Sequence, residues 1–95
     1  MDAYQVLAQM VYQAFEQSDD ARATLFARIL ERVWDEGASE VRRRSPETWK
    51  QIDSSMTCFV QPLLQYARGQ AERPNISAEA AAYKAYQDAL SLIND

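Results

Sequence analysis

The sequence predicts an all-α protein: a small antiparallel bundle of about four helices, one domain over residues 1–95, with the third helix long and kinked at Pro62. Three observations lead there. Apolar residues recur at helical rather than alternating spacing along most of the chain. Two glycines and three prolines in 95 residues are too few for the closely spaced turns of an all-β domain. A composition of 47% hydrophobic and 25% charged residues suits a chain that closes one core, with a radius of gyration of roughly 12 Å.

The first helix follows from the stretch Ala3 to Phe15, which carries no charged residue. Its polar side chains are Gln5, Gln9 and Gln13, continued at the same four-residue step by Gln17. Around the helix axis, Met10, Ala3, Ala14, Leu7, Val11, Tyr4, Phe15, Ala8 and Tyr12 form an apolar arc of roughly 200°, wider than the ~100° a surface helix needs. Such a helix is expected to be covered on more than one side.

Ser18, followed by Asp19 and Asp20, is expected to cap the second helix, with the acids facing the positive end of its dipole. Its buried face is expected to be Leu25, Phe26, Ile29, Leu30 and Val33, with Trp34 at the edge and Thr24, Arg28, Glu31 and Asp35 opposite. Gly37 supplies a left-handed stop. Residues 38 to 44 form a connector or one short extra turn.

Ser45-Pro46-Glu47 is a strong start for the third helix: a capping hydroxyl, a proline whose missing N–H is harmless at that position, then an acid. Trp49, Ile52, Met56, Phe59, Val60, Leu63, Leu64 and Ala67 share one arc. Pro62 should interrupt the helix, since it removes the bond to the Cys58 carbonyl at a cost of ~3 kcal/mol. The apolar phase nevertheless runs through it unshifted, so one helix bent at a solvent-facing proline is expected. Gly69 ends it, and Gln70 to Ile76 is a loop. Ser77 is expected to cap a last helix from Ala78 to about Ile93, whose inward arc centres on Ala78, Ala82, Ala85 and Ala89, flanked by Tyr86, Leu92 and Ile93.

Composition also narrows function. With no histidine and one cysteine, the chain can form neither an internal disulfide nor a Cys/His zinc site, and it has no imidazole for acid/base work. Asp53, Glu31, Asp35 and Glu36 are the remaining carboxylate candidates, but no spacing forces two of them into an apolar pocket. No catalytic residue, metal ligand or cofactor is therefore expected. Cys58 falls on the polar side of the third helix with nothing basic within a turn to stabilise a thiolate. The match of Asn75-Ile76-Ser77 to a glycosylation sequon is expected to be chance. The start Met1-Asp2-Ala3-Tyr4 is acidic where a secretory leader would be basic, and no apolar run reaches the ~20 residues that span a bilayer. A cytoplasmic protein without membrane association is expected.

Two features remain for recognition. The uncharged first helix points to a protein partner, because interface cores are depleted in charge and enriched in aromatic rings. Tyr4, Ala8 and Tyr12 with Gln5 and Gln9 are the expected contacts. Arg42, Arg43 and Arg44 would set orientation and association rate. The expected function is a small acidic protein-binding module: a regulator, inhibitor, adaptor or assembly chaperone of a larger protein. One alternative is a nucleic-acid or phosphate binder through the arginine connector, although a net charge of −4 disfavours a chain that follows phosphates over its whole surface. The other is a homodimeric structural protein in which the first helix pairs with its own copy.

Overall fold

In the computed structural model, which describes residues 3–93, all regular structure is helical: α1 (Ala3–Glu16), α2 (Asp20–Gly37), α3 (Ser39–Arg44), α4 (Pro46–Ala67), α5 (Ile76–Leu90) and a closing 3-10 turn (Ser91–Ile93). The stretch expected to be a connector or one turn is thus a fifth helix, α3. α1 packs on α2, α2 on α4, α4 on α5, and α5 returns to α1, while α3 lies against α4. The Cα radius of gyration is 12.8 Å, close to the roughly 12 Å that chain length implies. The residues Met1, Asp2, Asn94 and Asp95, including the acidic start, lie outside the described residues.

The helix ends show where local chemistry was read correctly and where it was not. Ser45 accepts from the Thr48 N–H at 3.3 Å with Pro46 in the first turn, as expected. α4 then continues past Pro62, which is half-buried rather than turned to solvent. Asn75, not Ser77, caps α5: its side-chain oxygen accepts from the N–H groups of Ser77 and Ala78. The cap of α2 is Asp19, which accepts from Arg22 N–H. Ser18 has another task.

Ser18 sits at φ 60°, the one positive-φ residue other than glycine among those described. Its N–H donates to Phe15 O and the Asp19 N–H donates to Ala14 O at 2.9 Å, the paired bonds of a Schellman stop. The end of α4 makes the same stop with Gly69 at φ 74°, through bonds from Gly69 to Tyr66 O and from Gln70 to Gln65 O. A Cβ in this conformation costs roughly 1–2 kcal/mol. Ser18→Gly is therefore expected to raise stability by about 1 kcal/mol, read as a higher urea midpoint. An unchanged or lower midpoint would mean that the serine hydroxyl compensates for the strain.

Gly37 does not make a left-handed stop. It remains within α2, and the following Ala38 donates its N–H to Trp34 O and begins α3. Its lack of a side chain serves packing: a Cβ there would stand 2.9 Å from the Tyr4 hydroxyl. A side chain there would have to displace the tip of the half-buried Tyr4.

The core confirms the phase of α4 and corrects that of two other helices. Ile52, Met56, Phe59, Val60, Leu63 and Leu64 are all buried, as their spacing predicted, although Ala67 is exposed. On α2 the buried residues are Ala23, Ala27, Leu30 and Trp34, whereas Leu25 and Ile29 are exposed and Phe26 and Val33 only half-buried. Small side chains at Ala8 and Ala14 of α1 and at Ala23 and Ala27 of α2 permit close approach of the two backbones, which bulky Leu25 and Ile29 would prevent. On α5 the expected face holds at Ala82, Ala89 and Ile93, which pack against the core, but is rotated from its expected centre. Glu79, Tyr86 and Leu90 are buried while Ala78, Ala85 and Leu92 are exposed. The turn brings Tyr83 into a stack on Tyr12 of α1, with ring centroids 4.6 Å apart, and within 5.4 Å of Phe59 of α4.

The loop between α4 and α5 is tied down by Arg73. Its guanidinium bonds both carboxylate oxygens of Asp20, donates to Phe15 O at 2.9 Å and lies 4.2 Å from the Phe15 ring centre. One side chain thereby fixes the loop to the α1–α2 corner.

Candidate protein-binding surface

The aromatic arc of α1 is used inside the chain. Ala8 is fully buried, so it presents no surface to a partner. Tyr4 is half-buried edge-on against Trp34, with centroids 5.3 Å apart, and Tyr12 is held in its stack on Tyr83. α2 and α5 thus cover part of the apolar arc of the first helix and leave Tyr4, Leu7, Met10 and Tyr12 half-buried. Gln9 is exposed and Gln5 half-buried.

Arg42, Arg43 and Arg44 are all exposed, but each is engaged locally. Arg43 and Arg44 both pair with Glu40, one turn earlier on α3. Arg42 lies over the Trp49 ring at 4.9 Å. Trp49 in turn stacks on buried Trp34 at 6.4 Å, and the Trp34 indole N–H donates to Asp53 Oδ1 at 3.0 Å. Arginine, two tryptophans and an aspartate therefore form one continuous cluster between α2, α3 and α4. Of the other carboxylates considered for chemistry, Glu31 accepts from Gln61 of α4 at 2.8 Å, Glu36 makes an exposed pair with Arg32, and Asp35 is exposed. Cys58 is exposed, and among the described residues no cluster of three or more His, Cys, Asp or Glu is placed to hold a metal.

Among the described residues the large apolar side chains left exposed are Val6, Leu25, Ile29, Ile76 and Leu92, and two of them share the outer face of α2. Leu25 is 55% exposed and Ile29 38% exposed, one turn apart on the side away from Ala23, Ala27 and Trp34. Half-buried Phe26 and Val33 extend this face toward α1, where Phe26 and Arg22 share a concavity of about 190 Å³ with Met10, Gln13 and Gln17. In the other direction Leu25 lines a groove of about 540 Å³ with Arg28, Tyr66 and Ala67. Val6, one turn before Met10, is also exposed. The glutamines at positions 13 and 17 thus border this apolar surface.

Sequence reasoning missed this surface because α2 carries two apolar arcs. One is made of large residues and one of alanines with Leu30 and Trp34, and the larger hydrophobic sum was assigned to the core. Spacing does not distinguish them, because Ala23 with Ala27 and Leu30 with Trp34 follow a four-residue step, and so do Leu25, Ile29 and Val33.

At the seam of α1 and α5 lies a buried carboxyl, Glu79, only 2% exposed and with no hydrogen-bond partner for Oε2. Burial pushes its pKa up from 4.5 to about 7. Tyr12 and Tyr83 beside it are raised as well, first by burial; the Glu16 and Glu79 carboxylates add to the effect at Tyr12, and Tyr12 and Glu16 add to it at Tyr83.

The fold and surface define a small all-helical protein in which α2 keeps two large apolar side chains, Leu25 and Ile29, outside the core. Among the described residues no helix is long and apolar enough to cross a membrane. Comparison with protein families, with curated proteins and with solved structures gave no match to this chain.

Proposed function

We propose that the protein is a binding module, a regulator, inhibitor, adaptor or assembly chaperone, that acts by burying the outer face of α2 against another protein chain. The four longer helices, read as an antiparallel bundle bent at Pro62, are the scaffold that presents this face. The observation that carries the reading is the exposure of Leu25 and Ile29 on one arc of α2. Full burial of a leucine or isoleucine is worth about 1.5–3 kcal/mol, so two such anchors with Phe26 and Val33 beside them supply the centre of an interface. Arg22, Arg28 and Arg32 surround the face and provide polar orientation at its rim.

Ile29→Glu and Leu25→Glu are expected to leave helicity intact and stability within about 0.5 kcal/mol, because neither side chain lies in the core. Each should abolish capture of the binding partner from native lysate on immobilised protein. Ala8→Glu, by contrast, should unfold the chain. Retained capture by both folded α2 variants would overturn the assignment of the surface.

A further inference from the structure

Resting on the reading of α2 as the binding face, we infer that its occupant is a second copy of this chain, with the two α2 helices antiparallel about a two-fold axis through Ile29. The argument is self-complementarity. In an antiparallel helix pair centred on one residue, positions equally far before and after that centre meet, and a two-fold interface makes every such contact twice. Ile29 meets Ile29 of the second copy. Leu25, four before, meets Val33, four after, so the most exposed leucine of the face covers the half-buried valine. Arg22, seven before, meets Glu36, seven after, and Phe26 meets Arg32, a cation over an aromatic face.

All of these positions lie on the outer arc of α2. The charged ones are free to exchange partners, since Arg22, Arg32 and Glu36 are well exposed and hold only short-range pairs, Arg22 with the capping Asp19 and Arg32 with Glu36. Exposed pairs of this kind are worth little. Charge also selects the direction. A parallel pair would set Arg22 against Arg22, Arg32 against Arg32 and Glu36 against Glu36. The antiparallel pair sets arginine against glutamate at both ends and leaves the apolar residues in the middle. A chain of net charge −4 repels its copy through most of its surface, whereas this face carries its own compensation.

Sedimentation equilibrium of the full chain over a range of concentrations should give twice the 10.9 kDa chain mass, with Ile29→Glu shifting it to one chain mass while the helical spectrum is unchanged. In a Cys58→Ser background, Ile29→Cys should form a disulfide-linked dimer under a mild oxidant, and Gln87→Cys, exposed on α5, should not. Arg22→Glu and Glu36→Arg alone should each weaken the dimer by roughly tenfold, and the double exchange should restore it. A parent chain that stays monomeric at its highest soluble concentration overturns the dimer, as does a dimer unaffected by Ile29→Glu. If the parent is monomeric but capture of a foreign chain is still lost in Ile29→Glu, only the choice of occupant fails. If both readouts ignore Ile29→Glu, the α2 surface itself fails.

Discussion

Truncating Trp34 to alanine should lower stability by about 3–5 kcal/mol, a large share of the roughly 5–15 kcal/mol that holds a domain together. Trp34 is completely buried and joins three elements. Its ring meets the edge of Tyr4 from α1 and stacks on Trp49 from α4, and its indole N–H bonds Asp53. Alanine would leave a cavity at this junction and deprive Asp53 of its donor. Urea unfolding followed by far-ultraviolet dichroism checks the prediction, because Trp49 would confuse a fluorescence signal. Asp53→Ala should cost less, about 1–3 kcal/mol, the effect of leaving a buried donor unpaired. An unchanged midpoint in Trp34→Ala would show that the centre of the α2 core face lies elsewhere.

Glu79→Gln should make the chain more stable above neutral pH and change the pH profile. The unfolded chain holds this carboxyl at its ordinary value of 4.5, and the folded chain raises it to about 7. Below 4.5 both states are protonated, and the folded state bears no ionisation penalty. Between 4.5 and about 7 the unfolded state loses its proton first, so stability falls as pH rises; above that range both states are ionised and the penalty is level. The full difference is about 3 kcal/mol. The advantage of the glutamine variant over the parent should therefore grow between those two pH values and then stay constant, measured as the difference in unfolding free energy at matched pH. A pH-independent difference would mean that Glu79 ionises in the folded state as easily as in the unfolded one. Stabilisation by removing this carboxylate would also fit a residue kept for something other than stability.

Helix content and the main helix starts were written locally. Ser45-Pro46-Glu47 and the Gly69 stop need only their own neighbours, and α4 has a single apolar arc, so its buried face followed from spacing alone. The starts of α2 and α5 were misplaced because Ser18 and Asp19, and likewise Asn75 and Ser77, are all capping residue types, and sequence does not show which of two nearby candidates the incoming chain places in position. Ser18 serves α1 by taking the left-handed conformation that glycine takes at position 69.

Sequence by itself determined that this chain is all-helical and which large residues face inward on α4. It placed the surplus apolar surface on α1, whereas tertiary structure left Leu25 and Ile29 of α2 outside the core. Periodicity fixes angles between residues of one helix but not the direction of its neighbours. Trp34 and Tyr83 took up Tyr4 and Tyr12 of the broad α1 arc, and on α2 alanines face the core while Leu25 and Ile29 lie outside it. The turn of α5 that buries Glu79 has the same origin: stacking of Tyr83 on Tyr12 and contact with Phe59 set its rotation, and a carboxyl one turn before Tyr83 was carried inside with it.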